Sequence, residues 1–305
     1  ILACAYAVFD GTTEKRDRAR AFFLVLLGCL LAVFAQPNLV FSVFALFIPY
    51  GAYRVWNVVS DHATSHVRLL QFCGMGAFFV IIIVVWAFCL NASFMQSVVN
   101  FDWPALSTIP QAFVDTLFVC SSLTPISPVL ALFLVIGIVG TFKEPNHLWI
   151  TVLFIFVTIM YVACVATNGS LDRILTGFWY TDRFRISALL AIVQTLLIAF
   201  GLAKTYSFIR KRKNYKRPIW IALTVVLFVL LLFPSFTLRG LTIVDTPFGH
   251  LRHELHSLYR SDQADNEAVF SQEEQDFVDQ ARDLVGNARV YNTPKDGSLF
   301  AYQYN

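Results

Sequence analysis

The chain carries little charge. Asp, Glu, Lys and Arg make up 14% of its 305 residues, against about 25% in soluble domains. That shortage excludes a disordered segment and a nucleic-acid-binding module. With 57% hydrophobic residues, thirty of them Phe, it also argues against an ordinary soluble enzyme. A Walker A loop, GxGxxG, GxSxG and the kinase signatures are all missing, so ATP-driven transport within this chain is disfavoured. The six cysteines (Cys4, Cys29, Cys73, Cys89, Cys120 and Cys164) form no CxxC pair and no Cys/His spacing. A zinc site and a disulfide framework therefore lack support. Four of them lie in apolar runs and read as small packing residues. One disulfide among Cys89, Cys120 and Cys164 is left open.

What is present is a series of long apolar runs. A membrane-spanning helix needs about 20 such residues, with roughly 17 as the lower limit. Residues 69–90, 147–167, 186–203 and 218–234 reach or approach that length, and 128–142 is shorter. The stretch 21–50 is interrupted by Gln36-Pro37-Asn38. Proline lacks a backbone donor and drives the preceding residue away from helix. Two short helices, 21–35 and 39–53, follow from this. A single kinked helix of roughly 45 Å would be too long for one crossing. The fold class expected is thus an all-α polytopic membrane protein of about seven spans, two of them short, followed by the start of an external α/β domain.

Sidedness follows from Lys and Arg. Residues 204–217 hold seven cations in fourteen positions and are assigned to the cytoplasm. Alternation then makes 235–305 extracytoplasmic, 168–185 and 91–127 external, and 14–20 internal. Loop 91–127 has no Lys or Arg, whereas EKRDRAR (14–20) has four, which favours the hairpin at Pro37. Residues 1–20 are read as the end of a preceding helix plus a cytoplasmic loop, 21–234 as the transmembrane domain, and 235–305 as a truncated external domain. The last segment has six Lys/Arg against eleven Asp/Glu, as suits a solvated domain. There, Ser271 and Glu274 form a capping box before a helix with Phe277, Val278, Ala281 and Leu284 on one face. Residues 288–293 read as a strand.

The sharpest chemical candidate breaks the charge pattern. External loop 168–185 carries Arg173, Arg183 and Arg185 beside Asp172 and Asp182, with Trp179 and Tyr180 between them. Arginines at a membrane boundary can clamp a lipid phosphate bidentately. A nearby carboxylate can act as a base or hold a divalent cation. The plainer account is an Asp–Arg network anchoring the loop, with Trp179 and Tyr180 as interfacial belt aromatics. Loop 91–127 is expected to hold an interfacial helix around Phe113, Leu117 and Phe118, with Asp102 and Asp115 its only charges. Gln36-Pro37-Asn38 reads as a structural hairpin tip. His62 and His66 lack a third metal ligand, and His250, His253 and His256 fit a short solvated helix. No resident metal or cofactor is identified.

Three stretches carry a family likeness. VFAQPNLVFSVFALFIPY is a small-residue, Pro-Asn, apolar hairpin; LTGFWYTDRFRISALLA fits TGxWYxDxxRxAAL before a helix; and EEQDFVDQARDLVGNARVYNTPKDGSLFAY is a helix followed by Pro-x-x-Gly-Ser. Together they resemble large, uncharacterised actinobacterial multi-pass membrane proteins whose architecture is similar to GT-C glycosyltransferases. The resemblance runs through most of 14–305. It implies a polyprenyl-phosphate sugar donor and cell-envelope glycan assembly. It also implies a catalytic carboxylate in a first external loop, which would precede residue 1. Only Trp179, Tyr180, Asp182 and Arg185 carry over. Arg183 stands where the pattern has an uncharged residue, often proline.

The function expected is a GT-C-like transferase, or an inactive relative, acting on polyprenyl-phosphate-linked sugar. The alternative is a non-enzymatic translocator or envelope scaffold. The spans lack acidic and basic residues in their interiors, which counts against ion-coupled transport.

Overall fold

The computed structural model describes residues 14–36, 38–62, 66–101, 103–121, 125–211, 235–238, 241–245 and 272–285, with a few single positions elsewhere. The chain divides into two compact units, 1–231 and 232–305.

The first unit contains helices α1 (Lys15–Ala35), α2 (Asn38–His62), α3 (Val67–Asn91), α4 (Ile109–Leu117), α5 (Pro128–Lys143), α6 (Leu148–Ala166), α7 (Ser170–Thr176) and α8 (Arg183–Arg210). Four helical segments are long and apolar enough to cross a membrane: Asn38–Ser60, Val67–Asn91, Pro145–Ala166 and Arg183–Arg210. α5 is apolar but shorter, at 16 residues. The expected span at 218–234 lies largely outside the described residues, and 212–217 lie wholly outside them.

The break before Pro37 is realised in the backbone. Gln36 is extended, at φ −160° and ψ 99°, and its N–H donates to Ala32 O. The clash of a proline ring with the residue before it accounts for that conformation. Beyond the break, α2 is longer than the 39–53 expected from hydropathy. It runs through Pro49 to His62, because RVWNVVSDH contains no further breaker and one missing N–H does not end a helix packed on neighbours.

Helices α5, α6 and α8 make the tightest packing. In a bilayer, helices gain little from hydrophobic burial against one another, so close backbone approach matters more. Glycines supply it here. A Cβ on Gly137 would stand 2.1 Å from Leu197 O, and one on Gly201 2.0 Å from Phe133 O. Thr141 Oγ1 and Thr151 Oγ1 share a buried 2.6 Å hydrogen bond between α5 and α6. Gln194 Nε2 donates to Thr116 O at 2.8 Å, tying α8 to α4.

α4 supplies a helix where one was expected in 91–127. Thr108 caps it by accepting from Gln111 N–H, and Pro110 sits in its first turn. Ala112 and Thr116 face inward while Phe113 and Leu117 are exposed.

The second unit contains an antiparallel hairpin, β1 (Ser235–Leu238) and β2 (Leu241–Asp245), with an irregularity between Phe236 and Thr237. Helix α9 (Gln272–Val285) follows. Its apolar positions Phe277 and Leu284 are exposed. The strand expected at 288–293 and the cap residue Ser271 lie outside the described residues.

Gly201→Ala is expected to force α5 and α8 apart and to lower stability by about 3 kcal/mol, the upper end of overpacking costs. Denaturant titration in detergent micelles checks this. A conservative change on the exposed face of the same helix, Leu202→Ala, should cost far less.

Candidate functional site

The segment linking α6 to α8 is folded inward. Gly169, at φ +123°, takes a conformation other residues avoid, and starts α7. One turn later Thr176 Oγ1 donates to Asp172 O at 2.8 Å and meets Asp172 Oδ1 at 2.5 Å. Asp172 and Thr176 are both buried. Asp172 is therefore a structural acceptor inside the loop and does not face an outer surface.

After a 3-10 turn at Gly177–Trp179, Tyr180 and Thr181 are both left-handed, at φ 62° and 49°. Such conformations cost on the order of 1–3 kcal/mol each away from glycine, and a β-branched residue is a marked outlier. Thr181 is held there from every side. Its N–H donates to Thr176 O, and its Oγ1 donates to Phe101 O at 3.0 Å and accepts from Trp103 N–H at 3.2 Å. Its carbonyl accepts from Cys164 Sγ–H at 3.2 Å.

The turn plants two aromatic rings in the core. Phe178 stacks on Phe41 with centroids 4.1 Å apart and meets Trp86 edge-on at 4.8 Å. Trp179 is 1% exposed, and its Nε1–H donates to Ser42 Oγ at 2.9 Å. The belt reading therefore fails for Trp179. An indole that packs from all sides and finds a buried acceptor is a core residue.

The charged candidates separate into two groups. Asp182 caps α8, its Oδ1 accepting from Phe184 N–H at 2.9 Å. Its Oδ2 lies 3.3 Å from Arg185 Nε. The Arg185 guanidinium also stacks on the Tyr180 ring at 4.7 Å. Arg183 turns away onto Phe184, and Arg173 is half-buried on α7.

Arg185 and Trp179 line a pocket of about 550 Å³ together with Gln36, Asn38 and Ser42, over an apolar wall from α2 and α8. Gln36 and Asn38 were missed as site residues. Their polarity beside Pro37 signals a helix break, and nothing local says that α8 closes over it. Asn38 Nδ2 is buried there without a hydrogen-bond partner among the described residues. The terminal nitrogens of Arg185 likewise have no partner among the described residues.

Among the described residues no group of three His, Cys, Asp or Glu could hold a metal ion. The five described cysteines are free. Burial, helped by the Asp115 charge, pushes the Cys120 thiol up to about 11, so it is inert at neutral pH. His66 is exposed. Asp102, His250, His253, His256 and the His62 side chain lie outside the described residues.

At the opposite end of the helices, Lys204 pairs with Glu144, with His147 Nδ1 3.5 Å from the same carboxylate. Lys204, counted in the sequence with the basic loop, sits inside α8 and lies 4.8 Å from the Phe200 ring centroid. The hydrogen bond from Lys204 is the main cause holding the Glu144 carboxyl below its ordinary value, aided by the Lys204 and His147 charges.

Four apolar helices of spanning length are consistent with a helical membrane protein. The chain belongs to DUF6541, a family of unknown function, whose family model matches residues 1–305. No curated protein and no solved structure matches it.

Two outcomes are expected. Asp182→Ala removes the α8 cap and should cost about 1 kcal/mol by chemical unfolding. Glu144 stabilises the fold while ionised, so its contribution is complete above its unfolded value, near 4.5. It is lost as the pH falls through the lowered folded value. Glu144→Gln should flatten thermal stability against pH in that acid window alone.

Proposed function

We propose that the protein is a GT-C-like membrane transferase, or an inactive relative, and that the Arg185 pocket receives the phosphate end of a polyprenyl-phosphate-linked sugar. The observation carrying this reading is the pairing of donors with an apolar wall. Arg185, with its terminal nitrogens open, and the unpartnered Asn38 amide line the same 550 Å³ pocket. A guanidinium offers two parallel donors to a phosphate. The α2 and α8 side chains beyond it suit a hydrocarbon tail.

In this reading the chain makes about seven spans within 21–234, with 204–217 cytoplasmic and 235–305 an extracytoplasmic α/β domain. The pocket then opens at the external face, where envelope glycans are assembled. Neither nearby carboxylate is placed to act as a base, since Asp182 caps α8 and Asp172 is bonded to Thr176. The catalytic carboxylate therefore comes from elsewhere in the protein.

A scaffold or translocator is the second reading. It is favoured by one fact: the Asp182–Arg185–Tyr180 contacts already satisfy much of the arginine locally. Native mass spectrometry of the purified protein titrated with a polyprenyl phosphate separates the two. The transferase reading expects one tightly held polyprenyl phosphate, weakened at least tenfold by Arg185→Ala and also by Asn38→Leu. Retention of bulk phospholipid alone, unchanged by Arg185→Ala, would replace it with the scaffold reading.

A further inference from the structure

Two neighbours hold the Arg185 guanidinium, and neither takes its terminal nitrogens. A carboxylate grips a guanidinium most strongly through both oxygens. Asp182 does not, because its Oδ1 is committed to the Phe184 N–H at the head of α8. Only Oδ2 remains, and it meets Nε at 3.3 Å. On the other side the guanidinium carbon lies 4.7 Å from the centroid of the Tyr180 ring. A ring face attracts a cation through its quadrupole and needs no lone pair. That contact fixes the group and spares its Nη donors.

Tyr180 stands where an aromatic residue is costly. Its φ is 62°, a left-handed conformation that glycine and asparagine enter more readily. The backbone is pinned on both sides, with Tyr180 N–H donating to Gly177 O at 3.0 Å and Thr181 N–H to Thr176 O at 3.3 Å. Phe101 meets the ring at 81°, with centroids 6.0 Å apart. The Phe101 carbonyl in turn accepts from Thr181 Oγ1, so one turn sets both the ring and its brace. The Tyr180 hydroxyl has no partner among the described residues. What the side chain contributes is therefore the ring, shared between Phe101 and the cation. Tyr180 does not itself line the pocket; Arg185 does.

We infer that Tyr180 is a positioning residue for anion capture: its ring face holds the Arg185 guanidinium with the terminal nitrogens unspent, which raises the pocket's affinity for a phosphate group. Without the ring, the arginine keeps one partly exposed contact, and ordering its long side chain falls to the ligand. This inference rests on the reading of the Arg185 pocket as a phosphate site. It adds that affinity depends on the electrostatics of a side chain acting through Arg185.

The test titrates the full chain in detergent with farnesyl phosphate and reads binding by native mass spectrometry. Tyr180→Phe keeps the shape and the face of the ring and should bind within about twofold of the unsubstituted chain. Pentafluorophenylalanine at position 180 keeps the shape but reverses the charge on the face. It should weaken binding about fivefold, the size of a partly exposed cation–π contact. Tyr180→Asn removes the ring, suits the left-handed backbone, and should weaken binding at least as much. The fluorinated ring preserves the packing on Phe101, so its result decides the matter whether or not Tyr180→Asn folds. In an Arg185→Ala background all of these side chains should bind alike, because the ring acts through the guanidinium.

A fluorinated ring that binds as well as Phe, while Arg185→Ala still weakens binding, would overturn this inference alone and leave the phosphate reading standing. Equal losses with and without Arg185 would also overturn it, making position 180 a support of the fold. Farnesyl phosphate binding unchanged by Arg185→Ala would remove the phosphate reading itself, and this inference with it.

Discussion

A buried threonine in a left-handed backbone conformation fixes the end of the bundle where the Arg185 pocket lies. Thr181 ties its own loop to two other segments, Phe101 with Trp103 and Cys164 on α6, through its N–H, hydroxyl and carbonyl. The strain of two consecutive positive-φ residues is tolerable only because those bonds leave the backbone no alternative. From that turn everything nearby follows in order. Phe178 and Trp179 are driven inward on one side, and Asp182 falls at the head of α8 on the other. Tyr180 remains as a platform for Arg185. Loosening the turn would release the ring cluster, the cap and the arginine together, since all are set within the eight residues from Phe178 to Arg185.

Hydropathy made the helices legible because a span of apolar residues and its interrupting charges are local properties. The break at Gln36 was readable for the same reason, as proline acts on its immediate neighbour. The burial of Asp172 and Trp179 was not readable. A charge and an aromatic pair in a loop look alike whether the loop lies on the membrane surface or tucks beneath it, and the choice is made by Phe41, Ser42 and Trp86, far away in the chain. Lys204 shows the same limit from the other direction. The sequence groups it with a basic run that resumes at Arg210, yet its partner is Glu144, sixty positions earlier. The pocket itself required α8 to close over residues 36–43, a long-range contact with no signature in either segment.

The state of Arg185 bears on how selective its pocket can be. Its Asp182 contact is partly exposed, and such a pair is worth at most about 1 kcal/mol. In the proposed reading, a phosphate shares or displaces the carboxylate at small cost while the Tyr180 ring keeps the guanidinium aimed. A fully exposed arginine would lack that aim, and a fully buried pair would resist exchange. The observed arrangement lies between those limits, which suits reversible capture of an anion better than permanent anchoring.

Two cavities meet at the aromatic cluster. Trp179 lines the pocket beside Arg185, Trp86 lines a second, apolar cavity between α2, α3 and α6, and their ring centroids are 6.2 Å apart. Each indole is locked by a hydrogen bond from its Nε1–H, to Ser42 and to Ile174 respectively. The two indoles therefore form a fixed aromatic wall where the cavities adjoin, set by contacts from α2, α3, α7 and the α7–α8 turn.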